Sequence, residues 1–217
     1  KTANGLKEIK LKSHKNIQVI NYILLYDKAI LSSVIAYSKL IFGAKSTDGT
    51  LKINTGNGID TLKIHNSQTS FYYPTIIADL GNDKDYVFVD YVDNSSTDIS
   101  FTNIKTGKGE DEVTISAGKE NIIDTGADKD IITIDGGLHN YINSGDGNDE
   151  ITVKAPNTEI STPNSVIRAG KGSDTIKLGY GTNTVYGDAG VDTITVTGGI
   201  NTIYGGAGKD KITASGT

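Results

Sequence analysis

The chain has 217 residues, no Cys and a formal net charge of −5, so disulfides and thiolate metal sites are excluded. Residues 1–50 hold eight Lys against the three acids Glu8, Asp27 and Asp48, leaving 13 basic and 23 acidic residues downstream, a net of −10. A body this acidic excludes a nucleic-acid backbone as partner and suits bound cations.

The 26 Gly and only 3 Pro predict short strands joined by frequent turns. The chain starts with Lys and contains no Met, which reads as a processed piece of a longer product. Its Lys-rich start runs into the apolar stretch Ile17–Tyr26, but Gln18 and Asn21 interrupt that run and no small-residue cleavage site succeeds it. The run is about half the ~20 residues a membrane span needs, so the expectation is a soluble module with no membrane span. From Lys7 to Lys45 short β-branched and aromatic runs favour strands. A helix over Asp27–Tyr37 is the alternative, because a buried helix and a buried strand look alike over such a length. Residues 1–52 are expected to form a β-rich cap on the downstream chain, or a small subdomain of their own.

From residue 53 onward one unit recurs. Thr55–Asp60, Leu80–Asp85, Thr106–Asp111, Thr125–Asp130, Ser144–Asp149, Ala169–Asp174, Gly187–Asp192 and Gly205–Asp210 are Gly-containing turns that each close on an aspartate. Successive aspartates are 25, 26, 19, 19, 25, 18 and 18 residues apart. Each turn leads into an alternating strand with an inward residue two and four positions on, such as Leu62/Ile64, Val113/Ile115, Ile132/Ile134, Ile151/Val153, Ile176/Leu178 and Ile194/Val196. Repetition of this kind predicts a parallel β-roll or β-helix solenoid over residues 53–217. The three long spacers, Ser67–Thr75, Tyr91–Thr102 and Ala155–Pro163, are expected as loops on one face. Phe71–Pro74 within the first of them reads either as packing against the solenoid or as a partner contact. Asn121, Asn140, Asn164, Asn183 and Asn201 precede the Gly turns in a second register, either as a hydrogen-bonded Asn ladder or as turn formers.

Within each turn the glycines meet positions that demand φ > 0 or close backbone approach. Such a turn points carbonyl oxygens to one side, and the closing Asp adds a carboxylate. Two turns stacked about 4.8 Å apart together offer six or more oxygens, which matches the 6–8 oxygen ligands of calcium better than the tight octahedron of magnesium. The same stacking sets eight carboxylates in a column that repels itself until cations neutralise it, so folding and calcium binding are expected to be one event. Three turns depart from the pattern. Asp83 and Asp128 replace the second Gly and Asp188 replaces the first, and sites across the 25- and 26-residue spacings (60/85, 85/111, 149/174) are expected to be distorted or empty.

Gly205–Thr213 fits G-G-x-G-x-D-x-U-x at every fixed position, and residues 53–217 as a whole resemble the RTX (repeats-in-toxin) family of hemolysin-type calcium-binding repeats. The resemblance implies several bound calcium ions. In that family one turn supplies the carbonyls of its second and fourth positions with its aspartate, and the next supplies those of its first and third positions with its own. Carried onto this chain, one site uses Gly107, Gly109 and Asp111 with Thr125, Ala127 and Asp130. Another uses Gly187, Ala189 or Gly190, and Asp192 with Gly205, Ala207 and Asp210. Intervening and flanking sites draw on Ser144, Gly145, Gly147 and Asp149, on Gly170, Gly172 and Asp174, on Gly206 and Gly208, and on Asp60 and Asp85. Every second nonapeptide is degenerate here, so calcium is expected along one edge only.

The resemblance also implies type I secretion from bacteria and an extracellular or cell-surface location, with folding outside the cell. It does not name an effector. The reading favoured is a non-enzymatic structural module of a surface-layer protein or adhesin, with self-association or cell-surface polysaccharide as partners. The alternatives are the repeat region of a toxin, or a carbohydrate-acting enzyme module on a β-helix. No catalytic set stands out: the histidines are His14, His65 and His139, with no H-E-x-x-H or G-x-S-x-G. An EF-hand counted from Asp146 fails, with Ile151 at its sixth place and Asn157 at its twelfth.

Overall fold

Alternation of inward apolar and outward polar residues builds strands that cannot bury their apolar face alone, and stacking successive rungs solves the problem. The structure, a computed structural model, describes residues 7–10, 29–32, 37–42, 50–66, 75–91, 101–116, 118, 120–135, 137–154 and 164–215. Among these residues all regular structure is strand.

One sheet has ten parallel strands stacked in chain order: β1 (Lys7–Lys10), β2 (Ala29–Ser32), β4 (Thr50–Asn54), β6 (Thr75–Asp79), β8 (Phe101–Lys108), β10 (Glu120–Ala127), β12 (His139–Asp146), β14 (Asn164–Lys171), β16 (Thr182–Ala189) and β18 (Ile200–Tyr204). The other has nine: β3 (Tyr37–Phe42), β5 (Ile59–Asn66), β7 (Tyr86–Tyr91), β9 (Glu112–Ile115), β11 (Ile131–Asp135), β13 (Glu150–Lys154), β15 (Thr175–Leu178), β17 (Thr193–Val196) and β19 (Lys211–Ala214). From β4 onward each rung is one strand of the first sheet, a turn, one strand of the second sheet, and a return connection. This is the parallel β-roll expected from the repeat. Strands β2 and β3, from the segment expected as cap or subdomain, pair in parallel with β4 and β5 and so continue both sheets. Where a helix was the alternative over Asp27–Tyr37, the described residues Ala29–Ser32 and Tyr37 belong to strands.

The core is the space between the sheets. The second sheet contributes every inward pair expected from the alternation, from Leu62 and Ile64 to Ile194 and Val196, all buried. The first contributes Ala78, Ile104, Ile123, Ile142, Ile167 and Val185. Removing that apolar area from water is the main driving force for stacking.

A second inward column is polar. Asn121 Nδ2 donates to Asn140 Oδ1 at 2.8 Å, Asn140 Nδ2 to Ser165 Oγ at 3.2 Å, the Ser165 amide to Asn183 Oδ1 at 3.2 Å, and Asn183 Nδ2 to Asn201 Oδ1 at 2.8 Å. The column is therefore a ladder, with one correction: its member in β14 is Ser165. Asn164 pairs with His139 and Thr182 and points outward, exposed, because the strand alternation fixed by Ile167 and Ala169 puts 165, not 164, inside.

Candidate metal centre

The aspartate turns all lie on the edge where the chain passes from the first sheet to the second. The connections of 25- and 26-residue rungs are lengthened on the opposite edge, between β5 and β6, β7 and β8, and β13 and β14. Those inserts, Phe71–Pro74 among them, lie outside the described residues.

Along the turn edge two backbone positions recur in left-handed conformation. The second position has φ of 89 to 104° at Gly56, Gly81, Gly107, Gly126, Gly145, Gly170 and Gly206, and 67° at Asp188. The fourth has φ of 115 to 151° at Gly58, Gly109, Gly172, Gly190 and Gly208, with Asp83 at 79° and Asp128 at 82°. Thus the three substituted turns keep the conformation of their neighbours, and Asp tolerates it at a cost that Gly avoids. Stacking is also tight: a methyl group on Gly126 would collide with Gly107 O, and one on Gly145 with Gly126 O.

The closing aspartates are the most unusual feature of the molecule. Asp85, Asp111, Asp130, Asp149, Asp174 and Asp192 are buried, and so is Asp60. Each carboxylate from Asp85 to Asp210 accepts, through Oδ1, the amide N–H of the aspartate one rung earlier. The distances are 2.8 Å for Asp60 to Asp85, 2.7 Å for Asp85 to Asp111, 2.8 Å for Asp111 to Asp130 and 2.9 Å for Asp130 to Asp149. They continue at 2.8 Å for Asp149 to Asp174, 2.9 Å for Asp174 to Asp192 and 3.0 Å for Asp192 to Asp210. The pairs across the long spacings are as regular as the others. These bonds span the long spacings undistorted because the extra residues leave from the far edge.

The second oxygen of these carboxylates is different. Oδ2 of Asp85, Asp111, Asp130, Asp149, Asp174 and Asp192 is buried with no hydrogen-bond partner in the protein. A buried carboxylate oxygen of this kind is costly unless a cation or proton satisfies it. Burial accordingly pushes the carboxyls up from an ordinary 3.8: Asp85 to about 8, Asp130 to about 7, and Asp111 and Asp174 to about 6. Part of the shift is offset by the Thr106 hydroxyl and the preceding amide at Asp111, by the preceding amide and the Thr125 hydroxyl at Asp130, and by the preceding amide at Asp85 and Asp174. Asp149 and Asp192 are raised by the same cause.

What could satisfy those oxygens is limited by the arrangement. Among the described residues no three His, Cys, Asp or Glu side chains converge, since the column offers one carboxylate per rung. Any cation between rungs must therefore draw on backbone carbonyls too, an all-oxygen donor set that suits calcium. The space beside Gly187 shows such a cradle: a methyl group there would collide with both Gly205 O and Asp192 Oδ2, and one on Gly205 would lie 2.5 Å from Asp210 Oδ2. Carbonyl and unpartnered carboxylate thus face the same small volume, and the residues present fit a calcium ion. Gly107, Gly109, Thr125, Ala127, Ser144, Gly145, Gly147, Gly170, Gly172, Ala189, Gly206 and Gly208 all lie in the stacked turns on this edge.

Two of the extra aspartates have partners of their own. Asp83 Oδ2 accepts from the Gly58 amide at 3.0 Å, and Asp188 pairs at 3.7 Å with Arg168 on the outer face of the first sheet. Arg168 lies over the Tyr186 ring at 4.1 Å, and Tyr186 stacks on Tyr204 with ring centroids 4.9 Å apart. Sequence reasoning missed the amide-to-carboxylate chain that ties the turns together.

Comparison with protein families gives a match of residues 164–194 and 186–216 to the RTX calcium-binding nonapeptide repeat (4 copies). Comparison with curated proteins and with solved structures gives no match.

Proposed function

We propose that this chain, whose last rungs are RTX calcium-binding repeats, is a structural module of a secreted bacterial cell-surface protein, such as a surface-layer protein or an adhesin, that folds when it meets calcium outside the cell. The observation that carries the reading is the column of buried carboxylate oxygens without protein partners. Calcium between rungs would satisfy those oxygens, and binding free energy would then become folding free energy. The site residues of this reading are the aspartates from Asp60 to Asp210 with the carbonyls of the stacked turns, including those upstream of the family match. Residues 1–52 act as the N-terminal cap, a role supported by the pairing of β2 and β3 into the two sheets.

A continuous two-sheet rod whose donors serve an ion between its own rungs is a scaffold, and the reading assigns it no reaction. Among the described residues no helix is long and apolar enough to cross a membrane. The partners of this reading are calcium and either further copies of the protein or surface polysaccharide. Circular dichroism of the 217-residue chain with calcium and with chelator tests the core claim: the β signal is expected to collapse on chelation, and a signal indifferent to calcium would sink it. Calcium-triggered growth of ordered assemblies, followed by light scattering and electron microscopy, separates a lattice-forming module from a toxin's repeat region, for which monomers are the expected outcome.

A further inference from the structure

Position one of the aspartate turns changes chemistry along the column. It is Thr55, Leu80, Thr106, Thr125 and Ser144 in the first five turns, and Ala169, Gly187 and Gly205 in the last three. The backbone ladder of the first sheet skips this position: β8 meets β10 at Lys105↔Asp124 and Gly107↔Gly126, and β10 meets β12 at Asp124↔Asn143 and Gly126↔Gly145. In the gaps that follow Thr106, Thr125 and Ser144 a buried hydroxyl takes over. Thr106 Oγ1 donates to Thr125 O at 3.3 Å, Thr125 Oγ1 to Ser144 O at 3.2 Å, and Ser144 Oγ to Ala169 O at 2.8 Å. Thr55 Oγ1 does the same to Leu80 O at 2.9 Å. At Gly187 no side chain is there to do so and none would fit, because Gly205 O and Asp192 Oδ2 crowd its α-carbon.

We infer that Thr106, Thr125 and Ser144 are positioning residues of the calcium column: their hydroxyls hold the next rung's first carbonyl (that of Thr125, Ser144 and Ala169) in place before any ion arrives, whereas the first carbonyls of the Gly187 and Gly205 turns have no such hydroxyl behind them and depend on calcium. The inference rests on the calcium reading above. A hydrogen bond to a donor oxygen fixes its direction without consuming it, since a carbonyl has two lone pairs, and this is how groups behind a ligand orient a metal site. Because each rung contacts only its neighbours, parts of a solenoid can lose structure separately. The chain thus has a pre-organised stretch from Thr106 to about Ala169, joined to a segment whose order tracks calcium closely. The family match at residues 164–216 covers that segment.

Hydrogen exchange resolved by rung, across a calcium titration of the 217-residue chain, tests this. Amides of β9, β11 and β13 are expected to keep protection down to calcium levels on the order of tenfold lower than those of β17, the size one net hydrogen bond supports. Replacing both hydroxyls, with Thr125→Val and Ser144→Ala, should raise the upstream calcium midpoint to that of the glycine turns, and reverting position 125 to a hydroxyl as Thr125→Ser should restore most of the difference. Loss of protection in all rungs at one calcium level would overturn the inference while leaving the calcium reading intact. So would a midpoint that stays fixed or falls in the double variant, a fall meaning that the hydroxyl competes with the ion. Protection indifferent to calcium throughout would remove both. If the double variant does not fold at saturating calcium, the comparison between rungs of the unaltered chain still decides.

Discussion

Each column aspartate performs two jobs with two oxygens, and substitution can separate them. Asp130 Oδ1 accepts the Asp111 amide at 2.8 Å, while its Oδ2 is buried without a protein partner. Asp130→Asn keeps an acceptor for that amide and removes the charge. In calcium-free buffer the variant is expected to be more stable than the parent chain, because a buried carboxylate has gone. In calcium its midpoint should rise by on the order of tenfold or more, through loss of an anionic ligand. Asp130→Ala loses both roles and also leaves the Asp111 amide unpaired, which costs about 1–3 kcal/mol with or without calcium. Denaturant unfolding followed by circular dichroism distinguishes the two, and identical behaviour of Asn and Ala variants would show that the amide bond contributes nothing. The chain of such bonds was not legible in the sequence. It joins residues 18 to 26 apart, and its direction depends on axial register that spacing alone does not supply.

At the scale of the turn, stability is a matter of backbone handedness. Gly126 sits at φ 100°, with Gly107 O where a Cβ would go, so Gly126→Ala should destabilise by roughly 2–4 kcal/mol. Asp128, at φ 82°, is the opposite case: Asp128→Gly relieves a left-handed residue and should stabilise the calcium-loaded fold by about 1 kcal/mol. Thermal melts at saturating calcium check both, and a lower melting temperature for Asp128→Gly would show that its carboxylate does more than occupy the turn. These positions were readable beforehand, because Gly and Asp exchange at matching places in a repeat whose handedness only they tolerate cheaply. Inward pairs such as Ile132 and Ile134 were readable for the same reason, since period-two alternation is a property of the local chain. The errors came where residue type displaced phase. Asn164 attracted attention as an Asn, yet counting back from Ile167 puts Ser165 in the column. The spacers, read as a threat to the sites they separate, each come after an inward pair such as Leu62 and Ile64 and therefore belong to the return edge, which leaves the amide-to-carboxylate bonds intact.

For the whole molecule the column makes calcium and protons alternatives. Burial raises Asp85 to about 8, Asp130 to about 7 and Asp111 and Asp174 to about 6, from an ordinary 3.8 in the unfolded chain. A folded-state pKa raised above its unfolded value gives stability that is fully present below about pH 4 and is lost as pH climbs through the raised values. Without calcium, then, these four groups favour the roll at pH 5 and oppose it at pH 8, where each buried carboxyl must ionise with no cation beside it. With calcium the sign reverses, because the ion binds the ionised form and must displace protons at lower pH. Denaturant unfolding at pH 5 and pH 8, each in calcium-free and calcium-saturated buffer, should therefore give crossing trends: stability falling with pH in the first and rising in the second. Parallel trends in the two buffers would mean that the carboxylates titrate independently of the ion, and the column would lose its role in folding. Crossing trends would place the weakest state of the chain at neutral pH and low calcium, the condition inside a cell, and its firmest at neutral pH and high calcium outside it.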